Sequence, residues 1–441
     1  GGSNVAVGRR ALKQNTTASD NTALGYHALE LNTTGAGNTA VGNTALDANT
    51  TASDNTAVGN GALTANTTGD SNTGLGADAL DSNTTGSNNT AIGQDALQAN
   101  TTSSGNTAVG KDALEQSTGT ENTAVGAEAL NDNTTGNYNT AIGYAAGKNN
   151  TSGGPWTFVG WQAGFNKGDG GSGNGTAVGY QALYASGGPL RNTAVGYQAL
   201  YNTTNFGDNN TGVGHEALKA NTSGVKNIAI GTYALIANTT GDRNIGIGYQ
   251  AIKSCTTGEN NVCIGNDAGN GITTGTGNIF IGKGVADGGS FSTGSNNIII
   301  GVDSNPSLGD QTNELKLGNG STSVFRCNVQ TISTLSDERD KTDIVDIPDG
   351  LDFINSVRPV KYKWDRRIPD DTCGLIRAGF IAQELQEAQK GSEYLDLIYD
   401  ANPEFLEAKQ GNLLPVMVKA IQELSAKNTA LETRVAALEA A

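Results

Sequence analysis

The stretch that decides the fold, residues 21–37, reads NTALGYHALELNTTGAG, and residues 38–54 repeat it as NTAVGNTALDANTTASD. The glycine that ends each Asn-Thr-Ala-Val-Gly motif recurs every 17 residues at positions 8, 25, 42, 59, 76, 93 and 110. The series continues with slips of one or two residues, and its last copy ends at Gly318. Self-similarity at a fixed period indicates a repeat architecture in which each copy is one structural unit.

Each copy predicts one short strand, a corner and a turn. The first five residues alternate as a strand does, glycine permits the corner, and Asn-Thr-Thr-Gly favours a turn. Strand positions two and four, where Ile and Val accumulate in the later copies, are expected to face inward. Position three, usually Ala, is expected to pack against a neighbouring chain.

The predicted fold is therefore mainly β, an elongated parallel β-roll or β-helix over residues 1–335. About 19 rungs stacked at ~4.8 Å give a rod of roughly 90 Å. A rung this small encloses little core, and three chains packed around an axis would cover its remaining apolar face. We therefore expect a homotrimer.

The rungs also resemble the head repeats of trimeric autotransporter adhesins. Residues 227–231 read NIAIG, which is similar to the Asn-Ser-Val-Ala-Ile-Gly pattern of those heads, although the adhesin period is shorter than 17 residues. The resemblance implies a trimeric parallel β-roll.

Charge and composition exclude several classes of function. A net charge of −16 argues against binding to nucleic acid or to an anionic membrane, since both need a cationic surface. The four cysteines form neither a CxxC pair nor a dense framework, so free, partly buried thiols are expected. No phosphate-binding loop, glycosidase-like carboxylate pair or metal-ligand cluster is present, so we predict no cofactor, no metal and no enzymatic activity for the rod.

No targeting or membrane segment is visible in the sequence. No apolar stretch approaches the ~18 residues of a spanning helix, and no signal peptide is apparent. Because the first residue is Gly1 and not Met, we expect that a native amino-terminal part is missing.

The composition changes abruptly between Thr331 and Ser336. Residues 336–441 hold 33 charged residues in 106 positions, whereas residues 1–335 hold 37 in 335. The 17-residue period stops there and helix-type patterns begin. We predict a second domain over residues 336–441.

Three motifs occur in this second part. They read LSDERDKTDI at residues 335–344, VRPVKYKW at 357–364 and AGFIAQEL at 378–385. Together they resemble the intramolecular chaperone of the peptidase S74 family, which stands at the carboxy terminus of phage tail fibres and tailspikes, including endosialidases, and in the myelin regulatory factor. The resemblance covers residues 335–441, about a quarter of the chain.

The resemblance implies a small α+β trimeric chaperone that aligns three chains and then cuts itself off before the motif serine, here at the Leu335–Ser336 bond. The chemistry can also be argued from the residues: a serine nucleophile needs a base, and a lysine serves when its surroundings lower its pKa. Ser336 and Lys341 are the candidate catalytic pair, and no histidine follows His215. The alternative interpretation is a solvated charged surface.

Other motif residues are given supporting roles. Three are expected to orient the dyad or hold the trimer, with ordinary surface pairing as the alternative: Asp337, Arg339 and Asp343. The family commonly has Asn where this chain has Asp343, so no contact specific to that amide is carried over. Three others are expected to fix the fold more than to touch the reaction: Gly379, Gln383 and Glu384.

Residues 413–441 carry apolar side chains at heptad spacing. One core position holds Leu414, Ile421, Asn428 and Val435, and the other holds Met417, Leu424, Leu431 and Leu438. This pattern predicts a trimeric coiled coil in which the Asn sets the register at some cost in stability. The alternative is an amphipathic helix folded back on the domain.

The residue after the strand glycine varies between copies, which marks it as exposed. It is aromatic in four successive copies, and a further Trp lies nearby: Tyr144, Trp161, Tyr180 and Tyr197, with Trp156. Aromatic faces beside polar loops suit sugar rings, so we hypothesise a glycan site here. The alternative is that the rings only stack on one another and stabilise the rod. An extruded loop is predicted at residues 168–173.

Together with these patterns, the resemblance to the peptidase S74 family implies a viral tail fibre, assembled in the host cytoplasm, whose rod binds a host-surface glycan or another receptor. It would attach to the phage tail or baseplate through the missing amino-terminal part. Two alternatives stay open. A tailspike-like polysaccharide depolymerase would need paired acids in an inter-chain groove, and a bacterial surface adhesin would need a membrane anchor.

Overall fold

In the computed structural model the chain divides into two compact units, Gly1–Asn319 and Gly320–Ala441. The structure describes residues 1–166, 173–187, 191–204, 206–287, 291–306, 309–319, 321–322, 339, 341–365, 374, 376–400 and 406–440. The predicted domain boundary between Thr331 and Ser336 lies outside these residues.

The first unit is a parallel β-solenoid with one short strand in each turn. Neighbouring strands keep repeat-equivalent residues side by side, as Thr22 pairs with Thr39 and Ala23 with Ala40. The strands are β1 (Val5–Val7), β2 (Thr22–Leu24), β3 (Thr39–Val41), β4 (Thr56–Val58), β5 (Thr73–Leu75), β6 (Thr90–Ile92), β7 (Thr107–Val109), β8 (Thr123–Val125), β9 (Thr140–Ile142), β10 (Trp156–Val159), β11 (Gly175–Val178), β12 (Thr193–Val195), β13 (Thr211–Val213), β14 (Ile228–Ile230), β15 (Ile245–Ile247), β16 (Val262–Ile264), β17 (Ile279–Ile281), β18 (Ile298–Ile300) and β19 (Leu315–Leu317). The predicted mainly β fold, a long parallel solenoid of 17-residue turns, is confirmed.

Strand position three faces the interior of the solenoid, so the predicted orientation of the strands is wrong. Ala23 is fully buried, whereas Leu24 at position four is 47% exposed. The interior has little room at this position: where Gly74 replaces the alanine, an added Cβ would lie 3.4 Å from Leu63 Cγ. The larger aliphatic side chains of positions two and four therefore point outward.

The Ala-Leu pair that follows the corner in most turns completes the core. Ala28 and Leu29 are fully buried. A large residue enters at strand position three where the leucine is lost: Phe158 is buried beside Gly164, whose added Cβ would lie 2.2 Å from Phe158 Cε1. In this turn the large buried side chain therefore comes from strand position three, and the small residue stands where other turns have leucine. The total volume of the close-packed core is thereby kept.

Two columns of asparagines join successive turns. The strand ladder consists of the Asn that directly precedes most strands. In one turn, the Asn38 N–H donates to Asn21 Oδ1 at 2.9 Å, and Asn38 Nδ2 donates to the Ala52 carbonyl at 2.8 Å. The turn ladder holds the Asn of Asn-Thr-Thr-Gly: Asn49 Nδ2 donates to Asn32 Oδ1 at 2.8 Å and to Ala52 O at 3.0 Å. Each ladder closes its own turn and bonds to the neighbouring one.

The corner glycines are required by the closeness of the stack. Gly25 has a φ of 146°, and an added Cβ would lie 2.1 Å from the carbonyl oxygen of Gly42 in the next turn. Because this contact is with backbone, no side-chain rearrangement would relieve it.

The carboxy-terminal unit has a small α+β fold. Its elements are α1 (Leu351–Ser356), β20 (Val360–Lys363), β21 (Ile376–Gly379), α2 (Ala382–Ala388), β22 (Ile398–Tyr399), β23 (Glu407–Ala408) and α3 (Leu413–Glu439). Strands β20 and β21 pair antiparallel, as do β22 and β23. Phe353, Leu385 and Val416 bring the three helices into one buried cluster. The Leu351 N–H donates to Glu423 Oε2 at 2.8 Å and ties α1 to α3.

Helix α3 packs on this unit only through its first turns, where Leu413, Val416 and Ala420 are buried. Its apolar heptad positions are 48–74% exposed: Leu414, Met417, Ile421, Leu424, Leu431, Val435 and Leu438. The predicted coiled coil stays a prediction, as does the trimer. No helix among the described residues is long and apolar enough to cross a membrane.

We predict that Asn72→Ala destabilises the solenoid. The change leaves the buried Asn89 N–H without its partner and removes one of the two hydrogen bonds that the Gly86 carbonyl accepts, the other being donated by Asn83 Nδ2. A buried unpaired group costs about 1–3 kcal/mol. Guanidinium unfolding followed by circular dichroism should show a lower midpoint. The control is Asn60→Ala, at an exposed Asn, which should stay within about 0.5 kcal/mol of the native chain. Equal losses in the two variants would contradict the role given to the ladder.

Candidate functional site

The predicted cleavage motif is only partly described by the structure. Leu335, Ser336 and Asp337 lie outside the described residues, whereas Arg339 and Lys341 are described and exposed. The Ser336–Lys341 dyad therefore stays a prediction.

Asp343 is exposed and has a left-handed backbone with φ of 53°. Asp and Asn adopt this conformation more readily than most residues.

The second and third motifs meet through a paired ionic contact. Arg358 Nε donates to Glu384 Oε2 at 3.1 Å, and Arg358 Nη2 donates to Glu384 Oε1. These hydrogen bonds from Arg358 lower the pKa of Glu384. The pair connects the segment before β20 with the start of α2, and because both side chains are well exposed, it orients these segments more than it stabilises them.

Gly379 and Gln383 lie next to this pair in the chain. Gly379 ends β21, and an added Cβ would lie 3.4 Å from Tyr362 Cε1. Gln383 is exposed on α2. These positions are consistent with fixing the fold, and a part in the reaction stays untested.

The predicted aromatic residues form a continuous stack on the solenoid. This aromatic column consists of Tyr144, Trp161, Tyr180, Tyr197 and His215, with successive ring centroids 6.0, 4.9, 5.1 and 4.9 Å apart. From Trp161 onward the planes lie within 10° of parallel. The four larger rings are 40–43% exposed.

Stacking within the column limits what it can bind. Each inner ring, Trp161, Tyr180 or Tyr197, has a neighbour on both faces. A sugar stacks on an aromatic face, and these faces are already covered. Ring edges and tyrosine hydroxyls are what the column offers to a ligand.

Trp156 does not share this surface, which corrects its assignment to the glycan site. It is 1% exposed and stacks on Phe158 at 5.5 Å. Its backbone N–H donates to Asn139 Oδ1 at 3.0 Å, so it occupies the place of an Asn in the strand ladder. The sequence signal was available, because Trp156 stands directly before Thr-Phe-Val-Gly where other copies have Asn.

Two further columns accompany the aromatic column. Phe165, Tyr184 and Tyr201 stack with centroids 5.2 and 5.0 Å apart. Gln162, Gln181 and Gln198 form a hydrogen-bonded column, with both Nε2–Oε1 distances at 3.0 Å. The sequence did not predict these two columns, because both depend on contacts between successive turns. Most of the predicted loop at 168–173 lies outside the described residues.

The described cysteines offer no reactive thiol. Cys255 and Cys263 are free and buried. Burial raises the pKa of Cys255 to about 11 and that of Cys263 well above its usual value. Both therefore remain protonated at neutral pH.

We predict that Tyr180→Ala lowers the stability of the solenoid. It removes two stacked contacts, each worth about 0.5–1.5 kcal/mol. Chemical unfolding monitored by circular dichroism should show the loss. Tyr138→Ala, at a tyrosine that is 59% exposed and outside the column, is the matched control and should change little. A column that contributes nothing to stability would leave the two variants alike.

Comparison with known proteins identifies one segment of the chain. No curated protein and no solved structure matches the chain. Residues 336–393, which contain all but the first residue of the three motifs, match the family model Peptidase_S74, described as the chaperone of endosialidase.

Proposed function

We propose that this chain is part of a homotrimeric phage tail fibre whose solenoid presents a receptor-binding surface and whose carboxy-terminal domain is a self-cleaving folding chaperone. The observation that carries the proposal is the chaperone-family match at residues 336–393, directly after a long parallel β-solenoid. A chaperone domain of this kind, placed after a repeat array, fits a tail-fibre or tailspike-like protein.

Two exposed apolar features support the trimer. Strand position four presents an aliphatic side chain in turn after turn, as at Leu24, Ile92 and Ile281. Within the other unit, α3 exposes the apolar positions of its heptads. Large exposed apolar surfaces of this kind mark interaction sites, and heptad repeats are the pattern of helices that pair with copies of themselves.

The receptor surface is proposed for residues 144–206, where aromatic and glutamine columns stand on the outside of successive turns. Tyrosine hydroxyls and the glutamine column supply hydrogen-bonding groups along successive turns. A host-surface glycan would contact these groups and the ring edges. Binding through the ring faces would require the column to open.

Self-cleavage is proposed to use Ser336 as nucleophile and Lys341 as base. Lys341 in its uncharged form takes the hydroxyl proton, and Ser336 Oγ attacks the carbonyl carbon of Leu335. The peptide C–N bond breaks, an ester to Oγ forms, and the new amino group takes a proton. Water then hydrolyses the ester and releases a fragment that begins at Ser336.

We predict that the native chain yields a fragment of residues 336–441 and that Ser336→Ala and Lys341→Ala do not. Denaturing electrophoresis and amino-terminal sequencing of the small fragment are the measurements. Lys427→Ala, at an exposed lysine of α3, is the control and should cleave normally. A native chain that stays intact, or a Ser336→Ala chain that is cut, would overturn the protease assignment and leave the chaperone role standing.

We also predict that the Ser336→Ala chain, kept uncut for this purpose, has three times the chain mass of 45.0 kDa in light scattering. The substitutions Leu424→Glu and Leu431→Glu should lower that mass, because they place charges in the heptad seam through which the helices would pair. Both leucines are more than half exposed in the single chain. Ala426→Glu, outside the seam on the same helix, is the control. A mass equal to one chain for the uncut protein would refute the trimer.

A further inference from the structure

One cluster of potential metal ligands lies in the second and third turns of the solenoid. His27, Glu30 and Asp47 each offer a ligand atom, and these atoms lie within 4.8 Å of one another. Asp47 follows Glu30 by 17 residues, so the two carboxylates stand at equivalent positions of successive turns. Among the described residues this is the one group of three or more His, Cys, Asp or Glu side chains so arranged.

Glu30 fixes the orientation of the His27 ring. His27 Nδ1 lies 2.5 Å from Glu30 Oε2, and Glu30 is buried. An Nδ1–H that donates to the carboxylate leaves the lone pair on Nε2. A histidine that binds a metal commonly donates its other ring N–H to a carboxylate in this way, which sets the tautomer and raises the basicity of the ligating nitrogen.

Two electron-pair donors in the cluster are buried without a hydrogen-bond partner. They are His27 Nε2 and Asp47 Oδ1. Buried polar atoms are rarely left unpaired, and each such case asks for a missing proton, water or ion. Two acceptors cannot satisfy each other, whereas a cation between them satisfies both.

The surrounding charges are compatible with such a cation. Arg10 and Lys13 contact the other oxygen of Glu30, Oε1, at 3.2 and 3.5 Å. Glu30 is thereby balanced by cations that are themselves about half exposed. Among the described residues Asp47 has no ion pair, and Arg10 attracts its carboxylate only from beyond ion-pair distance, so this carboxylate is the group that a bound cation would neutralise.

We propose that this cluster binds a zinc-type divalent transition metal, with His27 Nε2 and Asp47 Oδ1 as ligands, Glu30 as the outer partner of the imidazole and water in the remaining positions. Imidazole with a carboxylate is a donor set suited to Zn²⁺ and unlike the all-oxygen sites of Ca²⁺ and Mg²⁺. The metal would bridge two neighbouring turns near the amino-terminal end of the solenoid.

The test is a calorimetric titration of the full chain with ZnCl₂, with no histidine tag on the protein. The chain has two histidines, so the second provides a matched control: His215 is exposed and stacked on Tyr197. We expect one Zn²⁺ per chain, binding weakened roughly tenfold or more in His27→Gln and in Asp47→Asn, and unchanged binding in His215→Gln.

Two further readouts guard against misinterpretation. Zn²⁺ should raise the melting temperature of the native chain and of His215→Gln but not of His27→Gln, because a ligand that binds the folded state stabilises it. Substituted Co²⁺ should show no thiolate charge-transfer band, which excludes the cysteines. If the native chain does not bind Zn²⁺, or if His27→Gln or Asp47→Asn binds it as tightly as the native chain does, the proposal is overturned, and the two buried atoms are assigned to a shared proton.

Discussion

The solenoid depends on the hydrogen bonds of its two asparagine ladders. Its turns are too narrow for a large apolar core, which consists in most turns of residues such as Ala23, Ala28 and Leu29. Cohesion must therefore come largely from backbone pairing and from buried amides that close each turn and bond to the next. An amide has both a donor and an acceptor, so an Asn column can repeat indefinitely without leaving a group unpaired.

The regular stacking that the ladders maintain also determines which residue types suit the surface of the solenoid. Equivalent residues of successive turns lie ~4.8 Å apart, so each surface position becomes a column of neighbours. Flat rings, amides and hydroxyls stack well at that spacing, and the aromatic and glutamine columns are examples. Like charges at that spacing repel one another. Burial, followed by repulsion from the nearby Asp78 and Asp95, raises the pKa of Asp81.

The repeat, the parallel stack and the chaperone motifs could be predicted because each is written in the local sequence. The inward face could not, since alternation gives two faces and does not say which is inside. Ile and Val at positions two and four suggested a core, but where the buried leucine is kept, as at Leu63 near Gly74, the interior leaves room only for a small side chain at position three. The Asn residues were recognised as turn formers, whereas their role as ladders depends on contacts 17 residues apart.

The regularity of the ladders creates a problem of register. A chain shifted by one whole turn against its neighbours would keep nearly every contact of a uniform array, so the uniform turns cannot distinguish the two alignments. Some turns do differ. Ile272 and Phe291 replace the Asn of the turn ladder. In another turn Phe158 stands where most turns have Ala, and Gly164 stands where they have Leu. These local differences oppose a shift, but they act only after the strands have met. An alignment step encoded outside the array, such as a heptad helix with Asn428 in its seam, would set the register before the turns form. In the proposed trimer, the same asparagine ladders that stabilise the solenoid would thus leave its register to an aligning step outside the array.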